Sequence, residues 1–502
     1  MPTARQPSTS RVIIAVITLI AIATVFNAWL YYNFYTTGGT HVRETKTITM
    51  TISVTIFETI TKTSNVTWTS VFFVGYPDYY SRYGGWLGLR SRATGFFRVE
   101  EINGTYWFID PEGYVFISKG VNHVDYMGDY SPALGYSPYY VNVLKRYGSI
   151  DKWVEVTVSR LLRWGFNTVG AWSSRELFKY LPYTINLNIL GDYGFDWQTG
   201  RMPDIFSDSF AEYANTKAFF MCAPLSNDSL LLGYFLDNEL RWGPDWRSPN
   251  HLLDDFIKMP STSPGKRVAV EVIREAYKGD LIRLNNEMGA SFTSFDELLN
   301  YTGPLPTTPT MYQARVEFVR RYAERYFSVA TQAVKKYDPN HLILGVRVAG
   351  VPKTEYEREV FKIMAKYVDV ISVNIYNYAS PPTLALTELF QLTGKPIMVT
   401  EFSYRAMDSG LPNTKGAGLT VNTQSGRANL TYNFVSGLIK LPYVIGYHWF
   451  QYFDQPKEGR FDGENSNYGL VKIDDEPYQE MVEMFARLNM RVEKIHLGIE
   501  TP

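Results

Sequence analysis

Two glutamates sit where a pair of carboxylates could do chemistry. Glu239 closes the apolar run LLLGYFLDNEL (230–240), and Glu401 follows the apolar start of PIMVTEFSY (396–404). If both runs are strands of one parallel sheet, both side chains emerge at its C-terminal rim, where such sheets carry their reactive groups. Two carboxyl groups held about 5–5.5 Å apart across a sugar-sized cleft suit hydrolysis of a glycosidic bond with retention, one attacking the anomeric carbon and the other protonating the departing oxygen. The same pair could bind a divalent metal. A metal centre would draw on clustered histidines, yet of six His only His123 and His448 fall at strand ends, so no metal and no cofactor is expected.

The neighbouring strand ends favour a sugar. Asn238, beside Glu239, is placed to hold a sugar 2-hydroxyl, and Tyr376, ending VISVNIY (370–376), to donate to a carboxylate. His448 and Trp449 end VIGYHWFQYF (444–453), where an indole face would floor the cleavage subsite. Trp172, Trp242 and Trp246 are further stacking candidates, with Asn122, His123, Asn374 and Gln451 as hydroxyl contacts. For each of these, core packing is the competing explanation.

Positioning the pair requires an alternation of strands and helices. Apolar runs recur at 114–124, 166–172, 184–190, 230–240, 341–350, 368–378, 396–404 and 444–453. Amphipathic stretches at 152–163, 209–220, 312–337, 355–366, 383–391 and 424–439 read as the connecting helices. Lys395-Pro396 and Asp338-Pro339 stop helices before strands resume. Eight such units predict an α/β fold, a (β/α)8 TIM barrel over 114–495. The rival doubly wound sheet lacks a glycine-rich phosphate loop after its first strand. The 241–340 interval is far longer than a crossover needs, and reads as an insertion walling the cleft. Ahead of the barrel, 71–113 predicts a small N-terminal β cap, with Asp110-Pro111-Glu112-Gly113 as a hairpin turn.

Residues 12–32 carry no charge and are long enough for a bilayer core of about 30 Å; Arg5 and Arg11 precede them. They predict a transmembrane signal-anchor helix, with 1–11 cytoplasmic and the rest outside the cell. The alternative is a secreted protein, cleaved after a signal peptide near Ala21-Ile22-Ala23. The Thr/Ser-rich 33–70 segment reads as a stalk, or as a strand added to the main domain, and Asn-x-Ser/Thr sequons at 65, 103, 227, 300 and 429 are open to glycosylation. With 49 Lys+Arg against 50 Asp+Glu there is no basic patch, so nucleic acid is not an expected partner. Cys222, the single cysteine, excludes an intrachain disulfide.

At this point the chain resembles a known group. The Asn-Glu of the fourth run, the Tyr of the sixth, the Glu of the seventh and the Trp of the eighth are similar to those of clan A retaining glycoside hydrolases. Within these, the chain looks most like the β-agarase type, glycoside hydrolase family 50. The stretches that carry the likeness are WGFNTVGAWS (164–173), MPDIF (202–206), LGYFLDNELRW (232–242), YDPNHLILGVRVAG (337–350), VISVNIY (370–376), PIMVTEFSYRAMDSG (396–410) and YHWFQYFDQPKEGRFDGENSNYGLV (447–471). The resemblance implies Glu239 as acid/base, Glu401 as nucleophile and a β-linked polysaccharide or oligosaccharide as substrate. One departure stands out: many clan members place an arginine near the second-strand end, where this chain has Ala171-Trp172. Arg347, on the fifth run, is the expected substitute. Other β-glycans, transglycosylation in place of hydrolysis, and a catalytically silent glycan-binding protein are the competing functions.

Overall fold

The computed structural model describes residues 76–502. The predicted anchor helix (12–32) and stalk (33–70) lie outside the described residues. Among those described, no helix is long and apolar enough to cross a membrane.

The described chain begins with an antiparallel sheet of four strands: β1 (Trp86–Arg90), β2 (Arg98–Ile102), β3 (Thr105–Ile109) and β4 (Tyr114–Phe116), in the order β1-β4-β3-β2. The β2–β3 turn is Asn103-Gly104, both with positive φ, the backbone that a two-residue hairpin needs. The turn expected at 110–113 joins the antiparallel pair β3 and β4, and it is pinned by Asp110, whose carboxylate accepts from the Glu112 and Tyr114 amides. Tyr114–Phe116, read from the sequence as the start of the first barrel strand, belongs to this cap. A continuous apolar run does not show where one sheet hands over to another.

A mixed α/β body follows, built on a curled parallel sheet. Its strands are β5 (Ser118–Val121), β6 (Thr168–Val169), β7 (Tyr183–Asn186), β8 (Leu231–Phe235), β9 (Leu342–Ile343), β10 (Val348–Ala349), β11 (Ile371–Asn374), β12 (Ile397–Phe402) and, after the short pair β13 (Arg405–Ala406) and β14 (Thr420–Val421), β15 (Val444–Trp449). The order β10-β11-β12-β15-β5-β6-β7-β8-β9 runs from one half of the fifth predicted run to the other half. The eight expected strands are therefore nine, because that run is broken. Gly345 and Arg347 both have positive φ, and the Arg347 amide donates to Ser372 Oγ instead of to a backbone carbonyl. The break lets β9 pair with β8 and β10 with β11, and it turns Arg347 inward.

The N-terminal end of the curled sheet is closed by apolar packing. Phe97, Phe108 and Phe116 of the cap region meet Leu232, Leu344, Val370, Met398 and Ile445 in one buried cluster. Burial at about 1.5–3 kcal/mol per large apolar side chain makes this end a plug. The second core layer lies between sheet and helices. Helix Ile150–Arg163 shows its logic: Ser149 accepts from the Lys152 amide as N-cap, and Trp153, Val154, Thr157, Val158 and Leu161 form the buried stripe. Within 241–340, Pro309–Tyr337 is a 29-residue helix started by the Thr308 cap; it packs on helices Asp208–Met221 and Glu355–Met364 as the crossover after β8. The excursion itself is the part before it, 241–308.

Candidate active site

The site is built at the open end. Glu401 lies within β12, and its carbonyl accepts from the Ile375 amide at 2.7 Å, which keys it to the end of β11. Glu239 lies past β8, where the chain still ladders against the broken fifth run: the Leu236 amide donates to Gly345 O and the Glu239 amide to Arg347 O. Glu239 has φ +50°, a conformation of order 1–3 kcal/mol uphill for a side-chain-bearing residue. Arg247 holds it there, donating Nη1 to Glu239 O at 2.8 Å while ion-paired to Asp245 at 2.6 Å.

One hydrogen-bonded frame connects the two carboxylates. Asn374 Nδ2 donates to Glu239 Oε1 (2.9 Å) and to Asn238 Oδ1 (3.2 Å), and Thr400 Oγ1 donates to Asn374 Oδ1, which settles the amide orientation. Arg347 Nε donates to the same Asn238 Oδ1 (2.9 Å), and its Nη2 to Glu401 Oε1 (2.5 Å). Tyr376 OH donates to Glu401 Oε2 (2.6 Å), and Trp197 Nε1 to Glu239 Oε2 (3.1 Å). The Arg347 guanidinium is sandwiched between Trp172 (4.5 Å) and Phe235 (5.1 Å). This desolvates the Arg347–Glu401 pair and strengthens its field at the rim.

The two carboxyls do not share an environment. Burial, and then the charge of Glu401, push Glu239 up to about 7, against the donors Asn374 and Trp197 and the charge of Arg247. A carboxyl poised near neutrality can both give and take a proton.

Several expected sugar contacts are placed elsewhere. Successive strand residues point to opposite faces, so His448 and Trp449 cannot both line the opening, and neither does. His448 turns into the sheet interior, fully buried against Gly120, with Nε2 on Ser118 Oγ at 2.8 Å; burial and Arg347 lower it to about 3, keeping it neutral. Trp449 turns toward the helices, donating Nε1 to Tyr468 O and packing on Phe402 and Phe485. Trp242 stacks on Phe327 in the core. Asn122 is fully buried, bonded to Thr400 O and the Ala171 amide, and ties three strand ends together. Gln451 is fully buried too, bonded to Asp129 and to His123 Nδ1. Trp172 and Trp246 remain exposed, at 39% and 62%, each with an arginine over one face, Arg347 at 4.5 Å and Arg247 at 4.2 Å. Trp197 and Arg247 went unrecognised in the sequence, because both come from irregular loops where no periodicity marks a direction.

A curled parallel sheet with two coupled carboxylates at its C-terminal end is the layout of glycoside hydrolases built on an α/β body. Comparison with known proteins finds agarases. The chain is 30% identical over 486 residues to β-agarase B of Vibrio sp. (strain JT0107), covering 82% of this chain and 50% of that protein. It is also 30% identical to β-agarase A of the same strain over 76% of this chain and 39% of the relative. It thus spans half or less of the length of these two relatives. Among solved structures, an exo-β-agarase superposes with a TM-score of 0.75 at 28% identity, covering 84% of this chain and 69% of the other. PfGH50B gives 0.74 at 29% identity, covering 85% and 70%. No family model matches the chain. The likeness is to glycoside hydrolases of the agarase type; none of these relatives bears on the wider grouping in clan A.

Proposed function

We propose that this chain hydrolyses a β-linked galactan of the agarose class with retention of anomeric configuration. Glu401 attacks the anomeric carbon while Glu239 protonates the leaving oxygen; Glu239 then deprotonates the water that releases the sugar from Glu401. The observation that carries this reading is the shared frame, in which Arg347 and Tyr376 orient Glu401 while Glu239 is raised to about 7. Asn238 has its carbonyl committed to Arg347 and Asn374, leaving its amide NH2 for a sugar hydroxyl. Trp172 stacks a sugar on the ring face away from Arg347. The uncharged 12–32 run and the Thr/Ser-rich 33–70 segment support an outward-facing, membrane-tethered placement.

The test is a polymer panel. Purified protein is expected to release reducing ends from agarose and not from β-glucans or β-mannans. Release from a glucan or mannan instead would shift the substrate class, and release from none would remove the hydrolase reading.

A further inference from the structure

The loop after β15 brings a third carboxylate to the same opening. It is locked to the loop after β12: the Asn413 and Asn467 segments exchange backbone and side-chain bonds, Asn465 Oδ1 accepts from the Thr414 amide, and Ser466 Oγ donates to Lys415 O. The two loops form one wall beside Glu401. In that wall Arg460 stacks over Phe450 (5.7 Å) and Phe461 (5.1 Å), and pairs with Asp462 and Glu464, each at 2.8 Å. Phe450 in turn packs edge-on against Trp172, which covers Arg347. Glu464 is thus part of the wall beside Glu401; burial raises its carboxyl above the ordinary range, and the charges of Asp462 and Glu401 add to that.

The bonding of Glu464 is one-sided. Oε2 accepts from Gln455 Nε2 (2.7 Å) and is ion-paired with Arg460 Nη2 (2.8 Å), while Oε1 has no protein donor among the described residues. A carboxylate anchored through one oxygen and open at the other is a rigid, charged hydrogen-bond acceptor.

We infer that Glu464 is a specificity-determining residue: its Oε1 accepts a hydrogen bond from a free hydroxyl of the sugar attacked by Glu401, and its charge rejects sugars that carry an anionic group at that position. This rests on the proposed glycosidase reading. It deepens that reading by naming a side chain that sets the site's preference among galactans. A hydroxyl donates to the carboxylate, whereas a sulfate ester has no proton to give and brings like charge into a desolvated site.

The experiment compares kcat/KM of wild type, Glu464→Gln and Glu464→Leu on a neutral agarose-derived tetrasaccharide and on its O-sulfated counterparts, with Tm recorded for each protein. Wild type should prefer the neutral sugar. Glu464→Leu should lose on the order of 10–100-fold on it, the scale of a hydrogen bond to a charged group. Glu464→Gln, which keeps an acceptor oxygen but no charge, should lose less and should narrow the neutral-over-sulfated ratio by about tenfold for one sulfate position. A narrowed ratio is a gain that general damage to the fold cannot produce. Equal losses on neutral and sulfated sugars, or no loss in Glu464→Leu, would overturn the inference while leaving the glycosidase reading intact. A wild type that cleaves neither sugar would instead remove that reading and this inference with it.

Discussion

Glu401→Gln is expected to lower kcat on the substrate polymer by at least about 10³-fold, because it removes the atom that attacks, while the fold stays intact. Glutamine is isosteric: its Oε1 can still accept from Arg347, and its Nε2 can donate to the Tyr376 hydroxyl, the two groups that anchor this side chain at 2.5 and 2.6 Å. Polymer binding should therefore persist in the inactive protein. Glu239→Ala should separate the two steps. With a natural leaving group both steps lose their proton-transfer partner, a loss on the order of 10²–10⁴-fold. With an activated aryl leaving group the first step needs no acid, so the glycosyl-enzyme accumulates and added azide restores turnover. Steady-state kinetics with and without azide check both variants; a Glu239→Ala enzyme that azide does not rescue would deny Glu239 the acid/base role.

The second large effect is on pH dependence. Glu239, raised to about 7 first by burial and then by Glu401, must be protonated for the first step, so kcat/KM should fall as pH rises through about 7. Removing the charge in Glu401→Gln should lower the Glu239 pKa, and only partway, since the larger cause, burial, remains. A carbon-13 NMR titration of the Glu239 carboxyl in the two proteins measures this directly; an unchanged or raised value in the variant would contradict the coupling. The same shift has a stability consequence of defined sign. A carboxyl whose folded pKa exceeds its unfolded one holds more protons in the native state, so this contribution is full below about 4.5 and is lost as pH rises through about 7. Glu239→Gln should flatten that part of the stability profile.

Much of this arrangement is legible in the chain. Alternating apolar runs and amphipathic stretches mark the body, because a parallel sheet with helical crossovers needs both, and the C-terminal ends of those runs single out Glu239, Glu401, Asn374 and Tyr376. Arg347, expected from the fifth run to bring a cation near Glu401, is ion-paired with it. What escapes the sequence does so for identifiable reasons. Residues 341–350 form a smooth apolar pattern, and only the left-handed backbone at Gly345 and Arg347 shows that the strand is broken. At 448–449 the rim ends within one residue, and alternation sends His448 inward and Trp449 outward, away from the cleft. Trp242 looks like a platform until the long helix 309–337 is seen to cover it. Trp197, Arg247 and Glu464 lie in loops whose course depends on side-chain anchors, and no spacing rule reports such anchors.

The central claim is that Glu239 and Glu401 act as an acid/base and a nucleophile rather than as a pair activating water in one step. The most direct test is a proton NMR time course of the anomeric configuration of the first product released from agarose by the wild-type protein, with Glu401→Ala as control. The account predicts the β-anomer first, followed by slow mutarotation, and no product with the variant. The α-anomer appearing first would show inversion and contradict the double displacement.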